Sequence, residues 1–593
     1  MGKLIGIDLG TTNSLVCIWE DGKSKLIPNA FGEYLTPSVV GFGEKGEVFV
    51  GKTAKERLVT DPGNTYEFFK RNMGKKTHGK YTPEELSSFV LRSLKADAEN
   101  YLGEPVEEAV ISVPAYFDDK ARKATKNAGA LAGLKVERII NEPSAAALGY
   151  LKGEGDNNAD GEERVMLIFD FGGGTLDVSL VETFENVVEI VSVSGDNVLG
   201  GLDFDKVIAD YFIKEAGLDK DKVSHQEYNI ILKASEKAKR ELTDSTSSKI
   251  EVRSDELSGS VEITNKKLID ISAPVLKKIY KPVQDLLRNS GYTPESLTDV
   301  IMVGGSSKMP IIKHYLEHIL NRDDICVESP DYMIAIGMGV YAGIKERDDD
   351  VKDVILTDVC PFSMGVSIHN PMNPNKCLSS FIISRNTALP ISHTQLYHPV
   401  ADKQKSVKFE IFQGEEYLSD LNKTLGTIEI KLPAEVTTQT QIFVTFSYDI
   451  NGILVVDIAI PEFKITRNKV IVNEEIDYTE EFIEKKVGEL NKLKMIDRNE
   501  EEDRQIVEWG SRLFAQTSGL LKIDIEKKLA KFQQVVYRRE DIYNKIRLRN
   551  YMKKYLLHVE AMMIKECFNF EDDSWQDDED KIVDEIFSDW EDE

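Results

Sequence analysis

Two segments of the chain repeat one unusual pattern, an apolar strand that ends in an aspartate and turns on glycine. They are "IGIDLGTTNS" at residues 5–14 and "IFDFGGGTLDV" at residues 168–178. A carboxylate at the end of a buried strand is costly unless a cation or a hydrogen-bond network meets it. Glycine lets the chain turn tightly and lets backbone N–H groups approach an anion. The pattern therefore predicts two strand–turn–strand hairpins that hold an anion and a cation together.

The two turns also carry hydroxyl groups, at Thr11, Thr12 and Thr175. Two such hairpins facing one another would grip a polyphosphate from both sides while Asp8 and Asp170 hold Mg²⁺. Because Mg²⁺ gives up its water reluctantly, we expect the aspartates to act through bound water. One such turn alone is more often an ordinary loop, but two of them in one α/β region favour a nucleotide clamp.

Residues 1 to about 345 alternate strand-like and helix-like patterns, which predicts a layered α/β domain. The segment "GFGEKG" at residues 41–46 matches the dinucleotide-binding letters. Strand-like residues flank it and no helix follows, so we predict a hairpin turn there. The P-loop letters G-x-x-x-x-G-K-[ST] also occur, at residues 46–53, but there they run through the strand-like "VFVG" and not through a loop, so we do not expect a P-loop enzyme.

The rest of the chain changes character three times. Residues 346–358 are charged and then apolar, as expected for an interdomain linker. Short strands separated by Asn, Gly and Pro turns predict an antiparallel β unit over residues 359–475. A helical period, continuous in "EEFIEKKVGELNKLKMI", predicts a helical unit over residues 476–567, and the acidic end at residues 568–593 predicts disorder.

The composition limits the partners of the protein. The 593 residues carry a net charge of −28, and nucleic acid and anionic membranes repel such a polyanion. No apolar run reaches the roughly 20 residues of a membrane span. The five cysteines are scattered without metal-ligand spacing, which is typical of reduced thiols. We therefore expect a soluble cytoplasmic protein that binds neither nucleic acid nor membrane.

Longer motifs run in one order from residue 3 to about residue 460. They include "GIDLGTTNS", "VISVPAYFDDKARKATKNAG", "RIINEPSAAALGY", "FDFGGGTLDVS", "ASEKAKRELT", "VGGSSKMP" and "DINGIL". By these motifs the chain resembles the DnaK-type seventy-kilodalton heat-shock chaperones, in particular a specialised bacterial branch. The resemblance implies a multidomain fold: an actin-like (duplicated ribonuclease H-like) α/β ATPase domain, an antiparallel β-sandwich that binds peptide, and an α-helical lid.

The resemblance also implies ATP or ADP, Mg²⁺ and K⁺ as cofactors. Asp8 and Asp170 would hold Mg²⁺ through water, and Asp177 would hold a monovalent cation. Lys70 would reach the γ-phosphate and Glu142 would orient the attacking water or the metal shell. Taken alone, Lys70 would be interpreted as a surface lysine. The remaining catalytic and phosphate-binding positions would be Thr175, Gly10, Thr11, Thr12, Asn13, Gly172, Gly173, Gly174, Gly200 and Gly201.

The resemblance assigns the nucleoside pocket to Glu236, Lys239, Thr243, Gly304, Gly305, Ser306, Lys308 and Asp331. Without the family, Glu236 and Lys239 would be interpreted as ordinary helix-face charges. Lys308 departs from the family, which usually has an arginine there to stack on adenine. Because a lysine lacks the flat guanidinium face, we predict weaker nucleotide binding and faster exchange than in the housekeeping relative.

In the family the apolar linker docks on the ATPase domain with ATP and leaves it with ADP, so that each site biases the other. The resemblance assigns this coupling to Pro114, Arg122, Arg138, Val354, Ile355, Leu356 and Asp358. Thr357 replaces a usual leucine, a change expected to weaken docking. For Pro114, Arg122 and Arg138, a strand-end proline and helix-surface arginines remain the alternative.

An extended peptide would be bound by main-chain hydrogen bonds and one apolar pocket. The resemblance assigns this site to Met364, Val366, His369, Val400, Val407 and Phe409. Alternating apolar residues in strands usually face a core, so that alternative stays open. The implied partners are unfolded or extended polypeptides and a J-domain cochaperone. The segment after Lys70 is much shorter than in the family, which leaves the need for an exchange factor open.

The leading hypothesis is therefore an ATPase that works as a peptide chaperone. One alternative is a small-molecule kinase of the same superfamily, because the clamp alone also fits phosphoryl transfer. A second alternative is an ATP-sensing scaffold for one dedicated client, which would bind the acidic end. The linker, β unit and helical unit argue against the kinase.

Overall fold

The computed structural model of the chain describes residues 3–75, 79–152, 163–253, 257–327, 329–373, 376–470, 478–517, 519–537 and 542–565. The predicted disorder of residues 568–593 lies outside these ranges. Among the described residues, no helix is both long enough and apolar enough to cross a membrane.

Residues 3–152 form a main sheet, a smaller sheet and four helices. The strands are β1 (Lys3–Asp8), β2 (Asn13–Glu20), β3 (Lys23–Leu26), β4 (Thr36–Pro37), β5 (Val39–Phe42), β6 (Glu47–Val50), β7 (Thr65–Glu67), β8 (Val106–Val113) and β9 (Ile139–Asn141). The helices are α1 (Lys52–Thr60), α2 (Pro83–Leu102), α3 (Asp119–Leu131) and α4 (Glu142–Lys152). The main sheet has the order β3-β2-β1-β8-β9. The predicted hairpin turn at residues 41–46 is confirmed, because β5 pairs with β6.

Residues 163–346 form a second main sheet, a separate hairpin and five helices. The strands are β10 (Arg164–Phe171), β11 (Leu176–Phe184), β12 (Val187–Asp196), β13 (Ser247–Arg253), β14 (Ser258–Thr264) and β15 (Asp299–Val303). The helices are α5 (Gly201–Glu215), α6 (His225–Glu241), α7 (Asn265–Ser290), α8 (Pro310–Leu320) and α9 (Met333–Glu346). The main sheet runs β15-β10-β11-β12, and β13 pairs only with β14.

The two main sheets repeat one arrangement, an antiparallel hairpin whose first strand also pairs with a parallel strand. β1 pairs with β2 and β8, just as β10 pairs with β11 and β15. Ile5, Ile7 and Phe169 are fully buried, as expected where both faces of a sheet are covered. Between the sheets, α4 and α9 lie so close that a Cβ at Gly337 would collide with the backbone of Ala145.

The linker adds an edge strand to the second main sheet. β16 (Ile355–Thr357) pairs in parallel with β12, with Ile355 opposite Val187. The Ile355 N–H donates to the Asn186 carbonyl at 2.8 Å. Val354 is buried and Leu356 is half-buried in the core shared with α4 and α9, while the Ile355 side chain is exposed. The linker is therefore docked by backbone pairing and by alternate apolar side chains.

Residues 364–470 form a β-sandwich of two four-stranded sheets. The strands are β17 (Met364–Ile368), β18 (Leu378–Ile383), β19 (Ile391–Tyr397), β20 (Ser406–Gln413), β21 (Lys423–Lys431), β22 (Ile442–Tyr448), β23 (Leu454–Ile460) and β24 (Ile465–Val470). The sheet orders are β18-β17-β20-β21 and β19-β22-β23-β24, with all neighbours antiparallel. In β22 and β23 every second side chain is buried, so one face of that sheet faces the core.

Residues 480–565 form a helical unit with one short strand. The elements are α10 (Glu480–Leu490), β25 (Lys494–Met495), α11 (Arg498–Gln516), α12 (Gly519–Tyr537) and α13 (Ile542–Lys565). The predicted continuous helix through residues 480–496 is wrong at β25, which pairs in parallel with β6. The Lys494 N–H donates to the Gly46 carbonyl at 2.8 Å, so pairing with a distant strand overrides the local helical pattern. Ile506, Leu513 and Phe532 belong to a core shared by α11, α12 and α13.

Candidate functional site

The two aspartate–glycine turns face each other at the ends of the two main sheets. A Cβ added at Gly173 would collide with the Thr12 hydroxyl, and one at Gly174 would collide with Thr11. The Gly172 N–H donates to the Thr175 carbonyl at 3.0 Å and closes the second turn. Glycine is required at these two positions because the threonine side chains of the first turn occupy the space that a Cβ would need. The predicted facing arrangement of the hairpins is confirmed.

Asp8 ends β1 inside this site. The Ser112 hydroxyl donates to its Oδ1 at 2.7 Å, and the Leu9 N–H donates to the same hydroxyl at 3.2 Å. Burial, reinforced by the negative charge of Glu142, raises the pKa of Asp8 to about 6. Asp8 is therefore held in one orientation, but the positive charge near its carboxylate does not offset the effect of burial.

Asp170 and Asp177 face each other across the β10–β11 pair. Burial and the carboxylates of Glu142 and Asp177 raise the pKa of Asp170 well above its ordinary value. Burial and Glu142 raise the pKa of Asp177 to about 7. The Tyr116 N–H donates to Asp177 Oδ1 at 3.1 Å, while the buried Oδ2 has no hydrogen-bond partner among the described residues. Such an orphaned oxygen needs water or a cation.

Lys70 and Glu142 form a buried ion pair at the centre of the site. Lys70 Nζ lies 2.6 Å from Glu142 Oε1, and both side chains are almost inaccessible. Lys70 also lies over the Phe117 ring, 5.8 Å from its centroid. The alternative of a solvated surface lysine is therefore wrong for Lys70. Its positive charge lies in the same cavity as the two glycine turns.

The acidic residues of the site fit a magnesium ion that keeps its water. Four carboxylates, those of Asp8, Glu142, Asp170 and Asp177, meet one lysine, and their mutual repulsion favours an added cation. The described residues contain no group of three or more His, Cys, Asp or Glu side chains arranged to hold a metal directly. Water and phosphate oxygens would therefore have to complete an octahedral shell.

The predicted nucleoside residues lie on the same cavity, on the side of α6. Lys239 Nζ lies 2.7 Å from Asp205 Oδ1 and donates to the Gly201 carbonyl at 3.1 Å. Lys308 forms an ion pair with Asp331 at the rim and remains 45% exposed. Because this lysine already has a carboxylate partner and is flexible, it offers no fixed flat surface to a base.

One cavity of about 1170 Å³ collects these residues. The predicted residues that line it are Asp8, Gly10, Thr11, Thr12, Asn13, Lys70, Glu142, Asp170, Gly172, Gly173, Thr175, Glu236, Lys239, Thr243, Gly304, Gly305, Ser306, Lys308 and Asp331. Four further predicted residues do not line the cavity: Gly174, Gly200, Gly201 and Asp177. A Cβ at Gly201 would collide with Ser306, and one at Gly200 would lie 2.6 Å from the Gly174 nitrogen.

Two basic residues of the site were missed by the sequence reasoning. Arg71 donates to the Gly174 carbonyl at 2.8 Å and to Asp203 at 3.0 Å, and so supports the second glycine turn. Lys55 lies on α1 and forms a 3.1 Å ion pair with Glu236 on α6, across the cavity. Arg71 directly follows Lys70 in the sequence, which could have drawn attention to it. Lys55 gives no local signal.

Two of the predicted coupling residues, Asp358 and Arg138, belong to one network between the linker and the α/β region. Asp358 is buried and accepts hydrogen bonds from Asn141 Nδ2 at 3.0 Å and Ser144 Oγ at 2.5 Å. Arg138 Nη2 lies 3.7 Å from Asp358 Oδ2, and its Nε donates to the Tyr341 hydroxyl. The helix-surface alternative is therefore wrong for Arg138.

Arg122 and Pro114 are also buried, beside the β-sandwich. Arg122 Nη2 donates to the Ala115 carbonyl and to Asn141 Oδ1, at 2.9 and 2.8 Å. The turn between β22 and β23 rests on this side chain, because a Cβ at Gly452 would lie 3.0 Å from the Arg122 Cδ. The surface alternative is wrong for Arg122 too, and the strand-end position of Pro114 is borne out.

Further contacts join α3 to the same turn of the sandwich. The Tyr448 hydroxyl donates to Asp119 Oδ1, and the Leu454 N–H donates to Asp119 Oδ2, both at 3.1 Å. The Asn451 side chain accepts from the Ile139 N–H at 3.1 Å. Hydrogen bonds thus connect Asp358 through Asn141 to Arg122, and the Arg122 side chain contacts the β22–β23 turn.

The predicted peptide residues divide into two groups. Met364, Val366 and Phe409 are buried in the sandwich core, and Val407 packs against that core. His369 and Val400 are exposed on loops, Val400 by 67%. Tyr397, which was not predicted, packs on Phe409 with ring centroids 5.8 Å apart. The peptide site stays a prediction, because a core position accounts equally well for the first group.

A family model described as Hsp70 protein matches residues 4–80 and 76–565 of the chain. The match spans the clamp, the linker, the β-sandwich and the helical unit as described above. It agrees with the mixed α/β content, the several sheets and the helices of the described residues. The chain belongs to the Hsp70 family.

Proposed function

We propose that this protein binds and hydrolyses ATP at the glycine-turn clamp and uses the reaction to control its grip on extended peptides. Members of the Hsp70 family are ATP-dependent chaperones and ATPases that bind unfolded polypeptides and J-domain cochaperones. In this proposal residues 1–345 are an actin-like ATPase domain and residues 346–358 are the linker. Residues 359–475 are the peptide-binding sandwich, and residues 476–567 are the lid.

One observation carries the proposal: the docked linker belongs to the same sheet as the second aspartate–glycine turn. β10 and β11 enclose that turn, β12 pairs with β11, and the linker strand β16 pairs with β12. A change in how the turn holds phosphate can therefore alter the linker through two neighbouring strands. A kinase has no need of such a linker.

The residues of the clamp have different chemical roles in this proposal. Backbone N–H groups and the threonine hydroxyls of both turns hold the phosphates, and Lys70 stabilises the charge that develops on the terminal one. Glu142, fixed by its ion pair with Lys70, orients the attacking water. Asp8 and Asp170 would hold a hydrated Mg²⁺, which would supply positive charge to neutralise the phosphates. The buried Asp177 Oδ2 has no hydrogen-bond partner among the described residues, and this supports a further site for K⁺.

The interface of the sandwich supports the coupling between ATP and peptide. Asp358 connects the linker to Asn141 and Ser144, and Ser144 lies on the helix that begins with Glu142. The same helix thus carries a clamp residue and a linker contact. Two states of the clamp would therefore favour two positions of the linker and of the sandwich.

Steady-state ATP hydrolysis, measured as released phosphate, tests the proposal. We expect a low basal rate, stimulation by an extended apolar peptide, and further stimulation by a J-domain protein. Transfer of phosphate to a sugar or similar metabolite, with no response to peptide, would contradict the proposal and favour the kinase. Loss of peptide stimulation on deleting residues 571–593 would instead favour a scaffold for one client.

A further inference from the structure

Part of the wall of the nucleotide cavity is formed by residues outside the two glycine turns. Its volume of about 1170 Å³ exceeds the roughly 300–1,000 Å³ of ordinary small-molecule sites. Five residues of the helical unit line it: Arg512, Leu513, Gln516, Glu560 and Met563. They come from the C-terminal half of α11 and from α13. The helical unit therefore reaches the cavity that holds Asp8 and Lys70.

Arg512 is the central polar residue of this wall. Its guanidinium forms ion pairs with Glu56 on α1 and with Glu560 on α13, and its Nη1 donates to Gln516 Oε1 at 2.9 Å. Only 8% of Arg512 is exposed. A buried arginine in which each guanidinium nitrogen donates to a different side chain holds those neighbours in one geometry. Arg512 thus fastens the helical unit to the first half of the α/β region.

Glu56 connects this contact to the second half of the α/β region. Lys233 on α6 places its Nζ 3.7 Å from Glu56 Oε2, on the opposite side of the cavity. That nitrogen is buried and has no hydrogen-bond partner among the described residues. Burial, with the positive charge of Arg512 contributing, lowers the pKa of Lys233 to about 8. Although burial alone would raise it, Lys233 and Arg512 hold the pKa of Glu56 below its ordinary value.

We propose that the helical unit is a wall of the nucleotide cleft, and that Arg512, through Glu56, holds α1 and α6 together over the bound nucleotide. Arg512 is a positioning residue in this account, because it acts on the cleft through Glu56 and Lys233. The neighbouring Lys55–Glu236 pair, at 3.1 Å, closes the same cleft directly. Release of nucleotide then requires the helical unit to move away from α1. The inference rests on the proposed ATP binding.

Dissociation of radiolabelled ATP during a chase with excess unlabelled ATP tests the inference on the full-length protein with Mg²⁺. We expect Arg512→Gln and Glu56→Gln each to speed release by about 30-fold or more, as for truncation of a buried, hydrogen-bonded charge pair. The double variant should release ATP no faster than Glu56→Gln, because Arg512 acts on the cleft through Glu56. Arg512→Lys, which keeps the charge but loses the fork, should fall between the wild type and Arg512→Gln.

Arg549→Gln is the matched control. Arg549 donates to Asp503 Oδ2 at 2.8 Å within the helical unit and does not line the cavity. It should release ATP within twofold of the wild-type rate. Equal release rates for wild type, Arg512→Gln and Glu56→Gln, with ATP still bound, would overturn the inference and leave the proposed function intact. Absence of ATP binding by the wild type would overturn the proposed function itself. Circular dichroism checks folding, and Glu56→Gln tests the same contact if Arg512→Gln does not fold.

Discussion

Replacing Asp358 by alanine should release the docked linker. Two hydrogen bonds to this carboxylate, from Asn141 and Ser144, would be lost. Hydrogen bonds to a charged group contribute about 1.5 kcal/mol or more each, so the docked state should lose about 3 kcal/mol. That loss corresponds to roughly a 100-fold shift in the docking equilibrium. The nearby Arg138 would also lose its only carboxylate within 4 Å among the described residues.

Hydrogen–deuterium exchange of the linker amides measures this shift directly. In the docked linker the Ile355 N–H is bonded to Asn186, so its protection reports the docked fraction. With ATP and Mg²⁺, we expect protection of residues 354–357 to fall by one to two orders of magnitude in Asp358→Ala. The exposed Asp353 provides the matched control, because Asp353→Ala removes a linker carboxylate without breaking the network. Equal protection in wild type and Asp358→Ala would refute the assignment of Asp358 to docking.

Three further predictions concern the clamp. Lys70→Ala should slow single-turnover ATP hydrolysis by roughly 100- to 1000-fold, whereas the exposed Lys45→Ala should not change it; equal rates would contradict the role of Lys70. Because burial raises the pKa of Asp8 to about 6 and that of Asp170 well above its ordinary value, the metal-free magnesium site holds protons at pH 6. Binding of MgADP should then release protons, which calorimetry detects as a binding enthalpy that depends on the buffer. The affinity for MgADP should also fall as the pH falls from 8 to 5, and a pH-independent affinity would contradict the prediction. Gly173→Ala should weaken ATP binding by roughly 10-fold, because its Cβ would collide with the opposite turn and overpacking costs ~1–3 kcal/mol. Gly63→Ala, which meets open space, should bind ATP as the wild type does.

The clamp could be predicted from sequence because its signals are local. Asp8 and Asp170 each end an apolar strand and precede glycine, and the occurrence of this pattern twice favoured two turns that approach each other closely. The repeat also predicted two strand–turn–strand hairpins, which β1–β2 and β10–β11 form. Lys70 was different, since its own neighbours suggest a surface lysine. Its burial beside Glu142 comes from packing over a separation of 72 residues, which only the family motifs could indicate.

Contacts between distant segments could not be predicted from the sequence. Lys494 and Met495 continue a helical pattern, yet they form a strand because the edge of β6 offers backbone partners. Arg512 lies on an amphipathic helix where an arginine is unremarkable, and its partner Glu56 is 456 residues away. No periodicity or motif encodes such a pair. The fold class and the two aspartate–glycine turns were therefore predictable, whereas the cavity wall contributed by the helical unit was not.

Calorimetric titration of ATP with and without Mg²⁺, into the wild type and the Asp8→Ala/Asp170→Ala double variant, tests the central claim most directly. The two acids lie on separate sheets and have the cleft in common. If they hold the metal for the clamp, Mg²⁺ should tighten ATP binding by the wild type strongly and by the double variant hardly at all. A folded double variant that binds ATP with the wild-type dependence on Mg²⁺ would contradict the account.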